Sequence, residues 1–447
     1  MPNTELNKTL LKLTSISECA RGNPTFKFLS LAHLLNVDFL RYCYQNLNRN
    51  KAVGIDKVSW QEYGKSLETN LDKLVRNLKN KSYKPMPARR VDIPKGNGET
   101  RPLGISTIEN KIVESGLTII LQSIYEEDCL DCSYGFRPQR NTHQALNDVY
   151  TTTTKQPVSY LVEADIKGFF DNVSHEKLLE FIKIRIKDTS LIFLIERFLK
   201  AGYMEKDKLI KSDKGTPQGS ILSPILANIF LHYVLDIWFE QNVKVYTRGF
   251  CKLIRYADDF ICLVQYKNDA LRIERALENR FTKYGLELHP EKSRMFSFGR
   301  FEKQTALKES RRANTFDFLG FTHFCDKTRK GYFKIGRKTS AKKFRAKCKE
   351  LNAWLKAIRN MLPTREWWRI LRSKLRGHFE YYGVSGNMRS ISNYYVIALR
   401  LVHKWLNRRS QKRKMNWNKL GLYLKLHPLP TPRIKHNSHT LPAYSRS

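Results

Sequence analysis

The sequence predicts an α+β fold, in which strand hairpins and helices alternate over about 330 residues and a helical region follows. Two hairpins are indicated by β-prone runs that flank short turns, at residues 89–105 and 251–265. Helical periodicity is clearest at residues 108–125 and in a long apolar face that begins at Ile221. Helices and hairpins in the same stretch of chain are typical of an α+β domain.

In the first 105 residues, the pattern predicts a helical lead-in, a hairpin and the breaks between them. Residues 1–50 read as polar helices around an apolar cluster from Phe28 to Leu40, and the Gly-containing segment 51–60 opens a further helix. A Pro-rich break at 83–87 precedes a short strand, 89–94. A turn at 95–98 then leads to the returning strand, 99–105.

The middle of the chain predicts strands that end in acidic residues. Residues 159–170 alternate and are rich in apolar side chains, so a strand is expected to end near Asp165. Ser223 and Pro224 are suitable as the cap and first residue of the long helix. The runs 251–256 and 260–265 form a second hairpin, with acidic residues at its tip.

After about residue 335 the sequence becomes strongly basic and helical. One apolar stripe with a basic opposite face predicts a helix from about Ala341 to Ile358, and two more are expected at about 364–382 and 390–408. The tail, residues 409–447, contains a basic run and then several prolines, and is expected to lack a core of its own.

The charge of the chain points to a polyanionic partner. The sequence has 80 Lys and Arg against 42 Asp and Glu, a formal charge of +38. Residues 327–447 contain 31 Lys and Arg but 3 acidic residues, so they carry +28 and the first 326 residues carry +10. Nucleic acid is the default partner of such a region. An acidic membrane surface is the alternative, disfavoured because the apolar stripes contain no Trp/Phe-rich face beyond what packing needs.

Several other classes of protein are disfavoured by the sequence. It contains no run of about 18 apolar residues and no secretory pattern at residues 1–15, and eight irregularly spaced cysteines favour a reducing compartment. The single CxxC, Cys129 and Cys132, has no second ligand pair for zinc. P-loop, dinucleotide and zinc-protease motifs are also missing from the sequence.

Three carboxylates are candidates for metal binding. Asp258 and Asp259 lie at the tip of the second hairpin, and Asp165 ends a strand expected nearby. Such a set suits a pair of Mg²⁺ ions, which together clamp the attacking and leaving oxygens of a phosphoryl transfer. A main-chain carbonyl beside Asp165 is a further candidate ligand. For the Asp-Asp pair alone, the alternative is an ordinary turn, in which Asp side chains bond to the local backbone.

Seven motifs in a fixed order decide between these interpretations. They are residues 101–105 (RPLGI), 134–138 (YGFRP), 163–171 (EADIKGFFD), 215–224 (GTPQGSILSP), 256–259 (YADD), 285–292 (GLELHPEK) and 318–321 (FLGF). This series resembles group II intron-encoded reverse transcriptases with maturase activity, strongly over about residues 50–325 and more loosely over 335–435. Ser220, where many relatives have a second Gly, and the variable Ala257 are departures that leave the metal-binding residues unaffected.

The resemblance implies a right-hand polymerase with consecutive regions. A helical extension, 1–50, would precede the fingers, 51–160, and a palm with an antiparallel sheet, 161–334, in which fingers segments are interleaved. An α-helical thumb and basic maturase extension, 335–408, would follow, and then the basic tail. The family often carries a C-terminal zinc-bound nuclease, and the sequence ends before such a segment, so second-strand cleavage is not expected.

The resemblance also assigns roles to residues of the nucleotide site. Asp165, Asp258 and Asp259, with the carbonyl of Ile166, would hold two Mg²⁺ ions, or Mn²⁺. Phe170 would exclude a ribose 2′-OH, whereas Phe169 is the better candidate for a core aromatic. The remaining residues expected to contact the dNTP are Gln218, Lys95, Arg101 and Lys292.

The cations of this set have ordinary alternatives. Lys95 and Arg101 lie on opposite arms of the first hairpin, where a point charge and a forked guanidinium suit a triphosphate. The alternative is a solvated hairpin. Lys292 is a candidate proton donor to pyrophosphate, and a plain surface lysine is the alternative.

The segments 376–383 (RGHFEYYG) and 405–410 (WLNRRS) resemble the thumb and maturase region of the same family. Basic faces with interleaved Trp and Tyr suit a duplex backbone and structured RNA, whereas a solvated helix face is the alternative for any single residue. The residues predicted to bind RNA or DNA are Lys342, Lys343, Arg345, Lys349, Arg376, Arg408, Arg409, Lys412, Arg413 and Lys414.

The function implied is an RNA-directed DNA polymerase that also binds its intron RNA, assists splicing and supports intron mobility. Its partners would be an RNA template, a DNA primer, group II intron RNA and dNTPs, with no membrane, in a monomer or homodimer of the bacterial cytoplasm. Two alternatives stay open. One is a splicing-only RNA-binding maturase, and the other is a domesticated reverse transcriptase in DNA repair or phage defence.

Overall fold

The computed structural model describes residues 4–94, 100–205, 208–211, 213–409 and 415–437. It confirms the predicted α+β class, since helices and antiparallel hairpins occur together. The chain divides into two compact units. Unit 1 comprises residues 1–141, 162–262 and 268–295, and unit 2 comprises residues 142–161, 263–267 and 296–447.

The predicted hairpins, the strand that ends at Asp165 and the predicted helices are present near the expected residues, and further helices and strands occur between them. In chain order the helices are α1 (Thr4–Gly22), α2 (Val37–Asn46), α3 (Trp60–Gly64), α4 (Leu67–Lys79), α5 (Ile108–Asp128), α6 (Thr142–Lys155), α7 (Phe169–Asn172), α8 (His175–Arg185), α9 (Thr189–Lys200), α10 (Ser223–Leu231), α11 (Lys267–Lys283), α12 (Glu302–Lys308), α13 (Ala341–Ile358), α14 (Thr364–Tyr382), α15 (Met388–Asn407) and α16 (Trp417–Leu426). The strands are β1 (Ala88–Pro94), β2 (Thr100–Ile105), β3 (Tyr160–Asp165), β4 (Tyr203–Glu205), β5 (Lys208–Ile210), β6 (Cys251–Tyr256), β7 (Asp259–Val264), β8 (Arg294–Ser297), β9 (Thr315–Phe318), β10 (Phe321–Lys327) and β11 (Phe333–Thr339).

The core of unit 1 forms around helix α5. Ile112, Val113, Leu117 and Ile120 are fully buried along this helix, which packs against α1, α2 and α10. Thr107 begins it by accepting a hydrogen bond from the backbone N–H of Asn110. The apolar cluster predicted near residue 30 is largely buried, although Leu29 is 74% exposed.

The first hairpin pairs β1 with β2 antiparallel, with Arg89 opposite Ile105 and Pro94 opposite Thr100. Strand β1 also pairs with β4 in parallel, and β4 pairs with β5. Residues 95–99, the predicted turn of the hairpin, lie outside the described residues.

A second sheet, ordered β6-β7-β3-β8, positions the acidic residues. Strand β3 ends at Asp165 as predicted, and β6 and β7 form the predicted hairpin, with β7 already beginning at Asp259. Because β7 lies next to β3, the acidic ends of two neighbouring strands meet at one edge.

Helix α10 begins differently from the prediction. Leu222, not Ser223, is the residue before the helix, and no side chain caps its N-terminus. The Ser223 hydroxyl instead donates a hydrogen bond of 2.8 Å to the carbonyl of Pro217, so it stabilises the preceding loop. Two π-helical segments, His232–Asp236 and Phe239–Val243, continue beyond α10.

Unit 2 contains the antiparallel sheet β11-β10-β9 and helices α13 to α16. Leu351 and Leu355 of α13, with Leu371 and Leu375 of α14, are buried. The tail was expected to lack a core of its own, yet it includes α16, whose Leu420 is fully buried. Asn416 caps this helix by accepting a hydrogen bond from the N–H of Lys419.

Among the helices of the described residues, none combines the length and apolarity that a membrane crossing requires.

Candidate active site

The three predicted carboxylates interact electrostatically at the edge of the β3-β7 pair. Burial, as the largest cause, and then the negative charges of Asp165, Asp258 and Glu163 together raise the pKa of the Asp259 carboxyl to about 7. This coupling requires the carboxylates to lie close together, because charge interactions decay with distance. The edge therefore concentrates negative charge that a cation would relieve.

The same carboxylates do not form a ready-made metal cage. Within the described parts of the chain, no group of three His, Cys, Asp or Glu side chains is arranged to hold a metal ion alone. Mg²⁺ usually keeps waters and takes oxygens from substrate phosphates, so one or two protein carboxylates suffice for each ion. Hard carboxylate oxygens fit Mg²⁺ or Mn²⁺, provided that phosphate completes the shell.

Lys292 lies beside the carboxylate of Asp165. Its Nζ is 2.5 Å from Oδ2 of Asp165, and both side chains are partly exposed, at 59% and 32%. The main-chain carbonyl of Asp165 accepts a hydrogen bond of 2.7 Å from the N–H of His289. The adjacent Ile166 is buried and forms an isolated bridge with Leu288. The 285–292 motif therefore supports the end of strand β3.

The turn that carries the Asp-Asp pair has a strained backbone conformation. Ala257 has φ = 58°, in the left-handed region that non-Gly residues rarely adopt. Gly135 lies directly against it, since a Cβ added at Gly135 would be 2.3 Å from the nitrogen of Ala257. The YGFRP motif thus needs a glycine at this position for a close backbone approach.

A buried guanidinium holds this turn. Arg255 donates a hydrogen bond of 2.9 Å to the carbonyl of Ala257 and another of 3.1 Å to the Asn228 side chain. It also binds Asp236 through two hydrogen bonds of 2.7 and 2.5 Å, and both side chains of this pair are 0% exposed. The π-helical segment His232–Asp236 provides Asp236, and such segments are frequent at functional sites.

Sequence reasoning missed Arg255 and Asp236. A signal was available, because Arg255 is a charged residue within an otherwise buried β-prone run next to the YADD motif. Its partner lies 19 residues earlier in the chain, and no local pattern pairs the two.

A cavity of about 320 Å³ in unit 1 is lined by Phe170, Gln218 and residues of the 215–218 loop. Phe170 is partly exposed here, whereas Phe169 is 2% exposed, and the two rings meet edge to face at 5.4 Å. Phe169 is therefore a core residue, and the role of Phe170 as a sugar gate stays a prediction.

The loop that contains Pro217, Gln218 and Gly219, the PQG loop, is held by hydrogen bonds to β2 and to a buried carboxylate. The carbonyl of Gln218 accepts a hydrogen bond of 2.6 Å from Gly104, and Gly219 has φ = 108° with a backbone oxygen where a Cβ would lie. The fully buried Glu114 accepts hydrogen bonds from Ile221 N–H at 2.9 Å and from Ser106 at 2.8 Å. Burial raises the pKa of the Glu114 carboxyl. Sequence reasoning also missed Glu114, which lies in an ordinary helical pattern.

Two predicted phosphate-binding residues have no described geometry. Lys95 lies outside the described residues, and so does the side chain of Arg101, whose backbone pairs with Ile93 in the first hairpin. Their roles remain predictions.

In unit 2 the predicted RNA-binding side chains that the structure describes are all exposed. They are Lys342, Lys343, Arg345, Lys349, Arg376, Arg408 and Arg409. The Arg408 guanidinium lies over the Trp405 ring at 5.5 Å, and Arg409 donates a hydrogen bond of 2.6 Å to Thr364. Lys412, Arg413 and Lys414 lie outside the described residues.

Comparison with known proteins provides independent evidence. Residues 93–323, more than half of the chain, match the family model described as reverse transcriptase (RNA-dependent DNA polymerase). Group II intron-encoded protein LtrA of Lactococcus lactis subsp. cremoris is 39% identical over 244 residues, which are 54% of this chain and 40% of LtrA.

Two further relatives also match about half of the chain. An uncharacterized 91 kDa protein in the cob intron of Schizosaccharomyces pombe is 36% identical over 239 residues, 53% of this chain and 29% of that protein. Protein YkfC of Escherichia coli strain K12 is 32% identical over 243 residues, 47% of this chain and 63% of YkfC. The chain spans less than half of the LtrA and cob-intron proteins. The order of motifs and the family match agree, and the chain belongs to the reverse transcriptase (RNA-dependent DNA polymerase) family.

Proposed function

We propose that this chain is an RNA-directed DNA polymerase that adds dNTPs to a DNA primer on an RNA template. The observation that carries the proposal is the coupled set of Asp165, Asp258 and Asp259 at the ends of neighbouring strands. The cavity lined by Phe170 and Gln218 lies in the same unit. By the resemblance of its motifs, the chain would form a right-hand polymerase. The fingers and palm would lie in the first 334 residues, and the thumb would follow them.

Two divalent ions, Mg²⁺ or Mn²⁺, would supply charge neutralisation at the attacking and leaving oxygens. Asp165, Asp258 and Asp259 would hold them through carboxylate oxygens, with the carbonyl of Ile166 beside them. Phosphoryl transfer needs mainly positioning and electrostatic stabilisation from the protein. Arg255 and Gly135 supply positioning by holding the turn at Ala257.

The chain's own side chains would bind and select the nucleotide. Gln218 would contact the incoming dNTP, and the Phe170 ring would occupy the space that a ribose 2′-OH needs. Lys95 and Arg101 would bind the triphosphate from the first hairpin. Lys292, now paired with Asp165, is close enough to the carboxylates to donate a proton to departing pyrophosphate.

We also propose that the basic helices of unit 2 bind intron RNA, assist its splicing and support intron mobility. This part rests on the charge of residues 327–447 and on the group II intron origin of LtrA. The chain would work in the bacterial cytoplasm as a monomer or homodimer, near the nucleoid when it binds nucleic acid. A splicing-only maturase is disfavoured by the complete acidic set.

Primer extension tests the polymerase proposal. Purified wild-type protein should extend a DNA primer on an RNA template with dNTPs and Mg²⁺, and Asp258→Ala should not. Asp72→Asn, an exposed carboxylate of α4, is the control and should retain extension. A wild-type protein without extension activity would refute the enzyme assignment.

A splicing assay with the Asp258→Ala protein tests the second part separately. If the chain is both polymerase and maturase, the variant should still promote splicing of its intron. The absence of any intron RNA structure around the gene would refute the maturase role and favour a repair or defence enzyme.

A further inference from the structure

A groove of about 660 Å³ in unit 2 has a composition that the polymerase reaction does not explain. It lies between α12 and the turn that joins β10 to β11, and we call it the α12 groove. Phe301, Leu307 and Tyr332 line it and are 58%, 81% and 71% exposed. Three large apolar side chains in one exposed groove are unusual unless a partner covers them.

The exposure of these side chains is not explained by the packing of the neighbouring core. Phe298 and Phe316, close to this segment in sequence, are fully buried and stack edge to face at 4.9 Å. The core of this part of unit 2 is therefore filled without Phe301 and Tyr332. Both rings are free to present a face to a ligand.

The rim of the groove is positive. Arg300, Lys303 and Lys327 line it, and the single lining carboxylate, Asp326, is neutralised by Lys303 at 3.7 Å and Lys334 at 3.4 Å. The turn adds the exposed Arg329 and Lys330. Two further acids lie on or next to α12, and Arg311 binds both: the buried Glu302 at 2.6 Å and the exposed Glu309 at 2.6 Å. The charge around the aromatic rings therefore complements phosphate.

Aromatic faces within a cationic groove are the features by which proteins bind single strands, because every unpaired base can stack and every phosphate can pair with a cation. A duplex keeps its bases stacked on each other and offers no free base face. A hydrophobic protein partner would not need the cationic rim. We propose that the α12 groove binds a single-stranded segment of RNA, an inference that rests on the proposed function for the presence of RNA.

RNA binding without catalysis tests this proposal. Anisotropy is measured with an unstructured RNA of about 12 nucleotides, within the roughly 4–16-nucleotide site sizes of single-strand binders. Neither dNTPs nor Mg²⁺ is present, so the result is independent of primer extension. The double variant Phe301→Ala/Tyr332→Ala should bind roughly hundredfold more weakly, because it loses two stacking contacts and each contributes about tenfold. Tyr246→Ala, which removes a 78% exposed ring from unit 1, should not change the affinity.

Two additional measurements identify the ligand and exclude misfolding. Lys303→Gln/Lys327→Gln should lower the salt slope by about 1.4, since each single-strand phosphate contact contributes about 0.7. RNA with 4-thiouridine should crosslink within residues 300–333. The variants should melt at the wild-type temperature, because the replaced side chains are exposed.

Two outcomes would overturn the proposal: unchanged RNA affinity in both double variants, or a changed oligomeric state in place of changed RNA binding. The last would instead mark the groove as a surface between copies of the chain.

Discussion

The proposed catalytic edge of unit 1, where Asp165, Asp258 and Asp259 lie, and the basic helices of unit 2 use charge in opposite ways. At this edge, charged groups have specific partners, as in the fully buried pair of Arg255 with Asp236 and the partly exposed pair of Lys292 with Asp165. On α13 the predicted RNA-binding cations are exposed, and residues 327–447 hold 31 cations against 3 acids. The function of the first region therefore depends on where each charge lies, whereas the function of the second depends on its total charge.

This contrast predicts how each region responds to substitution. A single change at the catalytic edge should be severe, because a buried charge left without its partner is costly. A single change on the helices should matter little, and only several together should weaken binding.

Arg255→Met should have the largest effect of the substitutions considered. It leaves Asp236 buried without a partner, which costs about 3–5 kcal/mol of stability. It also releases the carbonyl of Ala257, and a small shift of the Asp258 turn should lower kcat about 10²-fold. Thermal unfolding and steady-state primer extension measure the two effects.

A double variant separates stability from positioning. Arg255→Met/Asp236→Leu removes both charges, so the melting temperature should recover while kcat stays low. Recovery of both together would show that Arg255 has a structural role only.

Neutralising four cations of α13 should have the next largest effect. The variant Lys342→Gln/Lys343→Gln/Arg345→Gln/Lys349→Gln should bind structured RNA tenfold to hundredfold more weakly, and its salt slope should fall by about 3, from about 0.7–0.9 per lost phosphate contact. Filter binding across a salt series measures this.

The matched control neutralises four exposed lysines of unit 1, Lys57, Lys65, Lys73 and Lys79. Equal losses in the two variants would mean that net charge, and not its location on α13, determines RNA affinity.

Phe170→Val should relax sugar selection. The smaller side chain leaves room for a 2′-OH, so the ratio of rNTP to dNTP incorporation should rise about tenfold, within the range of 10–200-fold that such steric differences provide. Single-nucleotide incorporation kinetics measure the ratio. Phe193→Val, at a 39% exposed ring on α9, should leave the ratio unchanged. An unaltered ratio in Phe170→Val would exclude its role as the gate.

The pH dependence of Mg²⁺ stabilisation should be the smallest effect. The pKa of Asp259 is about 7 in the metal-free fold, well above its ordinary value, so the folded state holds this proton more tightly than the unfolded state. The associated stability is present at low pH and is lost as the pH rises through about 7.

Mg²⁺ must displace that proton at pH 6 but not at pH 8, so its apparent affinity should be roughly tenfold weaker at pH 6. The Mg²⁺-induced rise in Tm should then be about 2 °C smaller at pH 6 than at pH 8. Asp259→Asn should abolish the difference. A rise in Tm that is independent of pH in the wild-type protein would contradict the coupling of the carboxylates.

Local patterns predicted the parts of the molecule that local physics determines. Strand β3 up to Asp165, the hairpin with Asp258 at its tip, and the helices of unit 2 follow from periodicity and turn chemistry. Motif order, and not a local pattern, grouped Phe170 with Gln218, which lie far apart in the chain and line one cavity.

The remaining features depend on contacts between distant segments. Arg255 meets Asp236 from a π-helical segment 19 residues earlier in the chain, and Glu114 binds Ile221, 107 residues later. Ser223 appeared to be a helix cap, but the nearby carbonyl of Pro217 competes for its hydroxyl. Helix α16 in the tail is short, and its stabilising contact is the burial of Leu420.

The central claim is that catalysis and RNA binding reside in separate regions with different uses of charge. One measurement tests it most directly: the Asp258→Ala protein is compared with wild type in primer extension and in structured-RNA binding at the same salt concentration. Extension should fall below detection while the RNA dissociation constant stays within about twofold of wild type. Retained extension, or a parallel loss of RNA affinity, would contradict the account.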